Sequence, residues 1–163
     1  MKLTTRLLGE ELQNPVLLAA GTCGFGQELE DVIDLDDLGG FVTKSITLEP
    51  RSGNPAPRVT EFSAGMLNSI GLANPGVEGA VREKLPWIAR NVRRAKVLVS
   101  VAGHTVAEFH TLVEKLDGSD GFMGFELNLS CHTDARRDGA PFALDPDEVE
   151  QVVEGCRERP ARP

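Results

Sequence analysis

Four short apolar runs end in residues that could do chemistry. Val16-Leu17-Leu18-Ala19 runs into Ala20 and Gly21. Gly40-Phe41-Val42-Thr43 is followed by Lys44 and Ser45, and the run from Lys96 to Ala102 holds Ser100 near its end. Gly124-Phe125-Glu126-Leu127 leads to Asn128, with Ser130 and Cys131 just beyond. Ala20 and Gly21 offer bare backbone, which lets a planar ring approach closely. Each of these residues also has a plainer reading. Lys44 could be a solvated surface lysine, Cys131 a small buried hydrophobe, and Asn68 and Asn128 turn or helix-capping residues.

The runs themselves read as strands buried on both faces, predicted over about 16–20, 40–44, 96–102 and 124–129. Helical patterns fall between them. Thr105-Val106-Ala107-Glu108 is a capping-box pattern, followed by Val106, Phe109, Leu112, Val113 and Leu116 on one face. Asp145-Pro146-Asp147-Glu148 supplies an N-cap, a proline at the first helical position and a glutamate at the third. Val149, Val152, Val153 and Cys156 then repeat the helical spacing, so Cys156 is expected in the core and Asp145 to Glu150 as a helix start rather than a metal site. Gln27 to Leu38 and Val77 to Val92 are further helix candidates, with a break or restart expected at Pro86 in the second. The stretch 45–65 reads as a long loop, and Leu3 to Leu12 around Gly9 as a hairpin closing a barrel floor. This order predicts an α/β chain, one partial domain over 1–163, with about four parallel strands forming the N-terminal half of a (β/α)8 barrel. In such a barrel the active site lies at the C-terminal ends of the strands, which is where the polar residues stand.

The net charge of −8 argues against nucleic acid or an anionic membrane as the main partner. No apolar run approaches a membrane span, and the first residues lack a signal-peptide core, so cytoplasm is expected. The three cysteines, Cys23, Cys131 and Cys156, form no C-x-x-C pair, which suggests neither a zinc site nor a disulfide framework. His104 and His110 are expected to be solvated.

Several stretches carry a resemblance. Asn14 to Gly21, Lys44-Ser45-Ile46-Thr47, Glu49 to Arg58, Met66 to Gly76 and Glu126 to Cys131 resemble, in order and with similar spacing, the dihydroorotate dehydrogenase family. The cysteine after Asn128-Leu129-Ser130 resembles the soluble class with a cysteine base. The Asn68-Ser69-Ile70-Gly71-Leu72 wording resembles the form that works with a separate iron–sulfur/FAD subunit and passes electrons to NAD. The resemblance implies FMN as cofactor and oxidation of dihydroorotate to orotate, a proton leaving C5 and a hydride leaving C6. It implies Cys131 as base. It places Lys44, Asn68, Ile70, Gly71, Leu72 and Asn128 at the substrate, and Ala20, Gly21, Lys44, Ser45, Ser100 and Asn128 at the flavin. A homo-oligomer is expected of the full-length protein.

Three departures stand out. Cys131 is followed by His132-Thr133 where the family has Pro-Asn, and Ser100 replaces a frequent asparagine. The chain also ends at Pro163, before a barrel of about 250 residues could close. Another flavin barrel acting on a pyrimidine ring, or a non-catalytic half-barrel, are the alternatives.

Overall fold

The computed structural model describes residues 3–130, 141–158 and 162. Its centre is a four-stranded parallel sheet in the order β3-β4-β7-β8, where β3 is Leu17–Leu18, β4 Gly40–Val42, β7 Lys96–Val101 and β8 Gly124–Leu127. All four lie where the apolar runs predicted strands, with shorter ladders. The lead-in is the expected hairpin, β1 (Thr5–Leu7) pairing antiparallel with β2 (Glu10–Leu12). Among the described residues neither β3 nor β8 has a second partner, so this is an open part of a (β/α) barrel.

Alternation decides which side chains meet the helices. Val97, Val99 and Val101 of β7 face the helical layer and pack with Phe109, Leu112, Val113 and Leu116, all essentially excluded from solvent. Leu98 and Ser100 therefore point to the other face, the interior of the would-be barrel. The four buried helix residues lie on α3 (Val106–Asp117), whose Thr105 cap accepts a hydrogen bond from the Glu108 N–H. The Glu108 carboxylate in turn accepts from the His104 N–H at 2.7 Å. On α4 (Pro146–Arg157), the Asp145 carboxylate takes the Asp147 and Glu148 N–H groups, and Val152 and Cys156 are buried as expected. The single turn Phe142–Leu144 before it sets Phe142 edge-on to Phe109, with ring centroids 5.4 Å apart.

Two expectations need correction. Residues 27–38 form only two isolated 3-10 turns, Gln27–Leu29 and Leu35–Asp37. Gly26 enters the first at φ 93°, and Asp34 is held extended while its carboxylate accepts from the Asp36 N–H, which stops a helix from running through. The 45–65 stretch is not all loop. β5 (Val59–Phe62) pairs antiparallel with β6 (Gly65–Asn68) in a hairpin. The helical stretch 76–91 restarts beside Pro86, as expected, after a change of helix type. It runs α1 (Gly76–Gly79), a π-helical turn (Ala80–Lys84) and α2 (Leu85–Asn91). Pro86 cannot donate to the Arg82 carbonyl and its ring would crowd it, and the wider turn relieves both problems.

At the N-terminal end of the strands, Asp36 holds the segment that enters β7. Its carboxylate accepts from the backbone N–H groups of Arg93, Arg94 and Ala95 at 2.7–3.0 Å. Gln13, just after β2, donates to the carbonyls of Asp36 and Leu38 and accepts from the Arg94 guanidinium. Partial burial works to raise the Asp36 pKa, but the three N–H donors and the Arg94 charge outweigh it and hold the carboxyl below its ordinary value. A lowered carboxyl pKa stabilises the fold above the unfolded value of about 3.9, and that stabilisation fades as pH falls through the folded value. The Asp36→Asn variant is therefore expected to lose stability at pH 7 and to show a flatter decline on acidification below about pH 4. Urea midpoints between pH 7 and 3 check this; parallel curves for the two proteins would refute it.

Candidate active site

The site is organised by a mismatch between two strands. Val42 pairs with Leu98, and the next pairing is Ile46 with Val101, so four steps on β4 match three on β7. This is a β-bulge, which re-aims side chains at a strand end. The Thr43 N–H donates to the Leu98 carbonyl and the Ile46 N–H to the Ser100 carbonyl, while the Lys44 N–H turns aside to the Gly24 carbonyl at 2.7 Å. Because of the extra residue, Ile46 joins the apolar core while Ser45 faces Ser100.

Three of the residues singled out from sequence meet here. The Ser45 and Ser100 hydroxyls share a 2.8 Å hydrogen bond, and the Asn128 amide donates to the Ser45 Oγ at 3.1 Å. Both serines are buried, Ser100 completely. The Ser100 N–H is taken by the Thr43 hydroxyl, a contact that sequence reading missed. The Asn128 Oδ1 also accepts from the Ser130 N–H, so its turn-forming role and its site contact coexist. In this set the partly exposed Asn128 amide can present donor and acceptor to a heteroaromatic ring edge, with the two buried hydroxyls fixing its orientation from behind.

Lys44 and Gly21 form a second group. Gly21 has φ 83°, and a Cβ built on it would come within 3.9 Å of the Lys44 Nζ. The half-buried lysine side chain thus reaches over bare backbone at the end of β3. Ala20 is half-buried beside it.

Asn68 closes β6 and is exposed, whereas Gly71 and Leu72 are buried. Gly71 and Leu72 both adopt left-handed backbone, φ 72° and 56°. For leucine this conformation is costly and must be held by its surroundings. Asn74 does the holding: its amide donates to the Leu72 carbonyl at 2.8 Å, and its Oδ1 accepts from the N–H groups of Thr47 and Gly76. The loop with Ile70, Gly71 and Leu72 is thereby tied to the strand that delivers Lys44 and Ser45. Asn74 and Thr47 were not singled out beforehand; the Asn-Pro-Gly turn signal at 74–76 was the available clue. His104 is exposed beside Arg51 at 3.4 Å. His110 is partly exposed and links α3 to the Gln151 carbonyl of α4 at 3.2 Å. Cys131 lies outside the described residues, as do His132 and Thr133. Cys23 is buried among core residues, and burial pushes its thiol pKa up, which suits a structural role.

A parallel βαβ series with polar side chains gathered at the strands' C-terminal ends defines a protein of the (β/α)-barrel class. Within that class the chain belongs to the dihydroorotate dehydrogenase family, whose family model matches residues 2–161. It is 44% identical over 163 residues to the dihydroorotate dehydrogenase B (NAD(+)) catalytic subunit of Desulforudis audaxviator, covering the whole of this chain and 52% of that protein. It is 42% identical over 161 residues to the protein of the same name from Pelobacter propionicus, covering 99% of this chain and again 52% of the relative. Dihydroorotate dehydrogenase A (fumarate) of Limosilactobacillus reuteri is 40% identical over 152 residues, which are 93% of this chain and 49% of that protein. The chain thus spans about half the length of the curated relatives it matches. Among the described residues no helix is long and apolar enough to cross a membrane.

Proposed function

We propose that this chain carries half of the active site of an FMN-dependent dihydroorotate dehydrogenase, which oxidises dihydroorotate to orotate in pyrimidine nucleotide synthesis. The observation that carries the reading is the alignment of Ser45, Ser100 and Asn128 by the bulge, one residue from Lys44 and its contact over Gly21. The donor set fits a flavin. The Asn128 amide suits the polar edge of the ring system, and the left-handed Gly21 leaves its face clear. Bound there, the flavin supplies the two-electron acceptor.

The chain's own residues divide the remaining work. The Lys44 ammonium offsets negative charge on the substrate carboxylate and on the reduced ring. Asn128 orients ring and substrate through its amide, and Asn68 with the Ile70-Gly71-Leu72 loop covers the substrate. Cys131, as thiolate, removes the C5 proton. The names of the relatives, catalytic subunits of an NAD(+) form, support a separate partner subunit and NAD as acceptor; we take that partner to be an iron–sulfur/FAD subunit and the setting to be the cytoplasm.

The test compares residues 1–163 with the same chain fused to the remaining portion of the Desulforudis relative. The short chain is expected to hold little FMN and to show no flavin reduction by dihydroorotate. The fusion is expected to hold FMN, be reduced by dihydroorotate and bind orotate in preference to uracil. A fusion that binds flavin but prefers uracil would replace this reading with a different pyrimidine-ring oxidoreductase. A monomeric short chain with stoichiometric, dihydroorotate-reducible FMN would overturn the half-site.

A further inference from the structure

The side-chain amide of Asn74 is fully committed. Its two N–H groups donate to the Leu72 carbonyl at 2.8 Å and the Thr47 hydroxyl at 2.9 Å. Its oxygen accepts from the N–H groups of Thr47 and Gly76 at 3.1 and 2.9 Å. The Thr47 hydroxyl gives its own proton to the Glu49 carbonyl, which makes it the acceptor toward Asn74. Two donors and two acceptor positions are all that an asparagine side chain has. An ionised aspartate would lack both donors, and an alanine would leave all four partners open. The backbone of Asn74 is tied as well, exchanging two hydrogen bonds with Arg51 at 2.9 and 3.0 Å.

A second asparagine grips the same loop at its other end. The Asn54 N–H donates to the Ile70 carbonyl at 3.1 Å, and the Asn54 amide donates to the Ser69 carbonyl at 2.9 Å. Two glycines let the segments touch. Gly53 has φ 75°, and a Cβ on it would collide with the Ile70 carbonyl. A Cβ on Gly71 would stand 2.7 Å from the Asn54 nitrogen. The carbonyls of Ser69, Ile70 and Leu72 thus all have donors on Asn54 or Asn74. Thr47, the partner of Asn74, stands two residues beyond Ser45, whose hydroxyl meets Ser100 and Asn128. The loop is therefore referenced to the strand end that delivers Lys44 and Ser45.

We propose that Asn74 and Asn54 are positioning residues for the substrate. Together they clamp the Ile70-Gly71-Leu72 loop at a fixed place relative to Lys44 and Ser45, so that a small ring meets a preformed wall. The inference rests on the functional reading above, in which that loop covers dihydroorotate. Neither asparagine touches the reacting atoms; each acts through the loop backbone. Two successive left-handed residues, one of them a leucine, persist only where their surroundings hold them. With either end released the loop relaxes, and binding must first restore its shape, which weakens affinity. The loop covers the substrate equally before and during the reaction, so the loss falls on binding and not on the rate of the bound complex.

The experiment uses the fusion of residues 1–163 to the remaining portion of the Desulforudis relative, loaded with FMN. Orotate affinity is read from the flavin absorbance change, reduction by dihydroorotate from stopped flow, and backbone hydrogen exchange from mass spectrometry. Asn74→Ala and Asn54→Ala are each expected to weaken orotate binding and raise the dihydroorotate KM by about tenfold. Reduction at saturating substrate should stay within about threefold of the parent fusion. Exchange should quicken over residues 69–74 and stay as in the parent over β7. Parent-like orotate affinity in either variant would overturn the clamp, as would unchanged exchange over 69–74. A variant that loses flavin and exchanges faster over β7 as well would make its asparagine a general support of the fold, and overturn the proposal. If Asn74→Ala does not fold, Asn54→Ala decides by itself. A parent fusion that holds flavin but is not reduced by dihydroorotate defeats the functional reading and this inference with it. A competent parent with unaffected variants defeats the inference alone.

Discussion

With the chain extended to the length of its relatives, Cys131→Ser is expected to slow flavin reduction by dihydroorotate by on the order of 10²-fold or more. Orotate affinity should change little. The asymmetry follows from acid strength. A free thiol ionises near pH 8.5, so a useful fraction is thiolate close to neutral pH, and nearby positive charge increases that fraction. A serine hydroxyl is a far weaker acid and supplies almost no alkoxide. The wild-type rate should climb as pH rises toward the thiol pKa and level off above it, because the deprotonated form is the active one. The serine variant should lack that inflection. Stopped-flow reduction between pH 6 and 10 reads both quantities. Wild-type kinetics in the variant would remove Cys131 from the mechanism, and an unchanged pH profile would move the base elsewhere.

What the sequence disclosed depended on how strongly each element is buried. β7 is six residues long, lies inside the sheet and reads as an apolar run interrupted only by Ser100 after its opening lysine, so its place was plain. α3 and α4 announce themselves twice, by capping residues and by helical spacing. The hairpin 59–68 gave no comparable signal. All eight of its strand residues are exposed, so no alternation of apolar and polar residues marks a buried face. The segment 27–38 has leucines at near-helical spacing, but the aspartate at 34 bonds its own backbone and ends the pattern. At the site, Ser45, Ser100 and Asn128 were each identifiable from position, and their gathering at the strand ends followed from the barrel order, yet the direct bond between the two serines did not. It depends on a one-residue bulge, and single-sequence patterns do not show which strand of a pair carries the extra residue.

Phe109→Ala is expected to cost about 3–5 kcal/mol and to leave the chain largely unfolded at 37 °C. Phe109 has no exposed surface, its ring meets Phe142 edge-on, and a Cβ on Gly103 would come within 3.2 Å of it. With α3, α4 and β7 all closing around this ring, little room exists for the site to collapse after truncation, and the cavity term is added to the lost transfer energy. Ordinary domains hold only about 5–15 kcal/mol in total, and a sheet whose two outer strands lack a second partner among the described residues has few reserves. Val32, 73% exposed, is the control: its alanine variant should shift the urea midpoint hardly at all. A Phe109→Ala midpoint close to that of the control would mean that the helical layer is not packed on β7 as described.

The extra residue between Val42 and Ile46 also limits how this strand end can change length. Side chains on a strand alternate with a period of two, so shifting the count by one inverts every position beyond the change. Without the bulge the unshortened strand would set Ser45 opposite Val101 and turn its hydroxyl into the apolar layer. Deleting Thr43 or Lys44 would even the count with β7 and leave Ser45 opposite Ser100 and Ile46 opposite Val101. Removing both would set Ser45 opposite Val99 and invert it. In a lineage of such chains, a gap of one residue at this point is therefore compatible with the serine pair, and a gap of two would be the mark of a copy that has lost it.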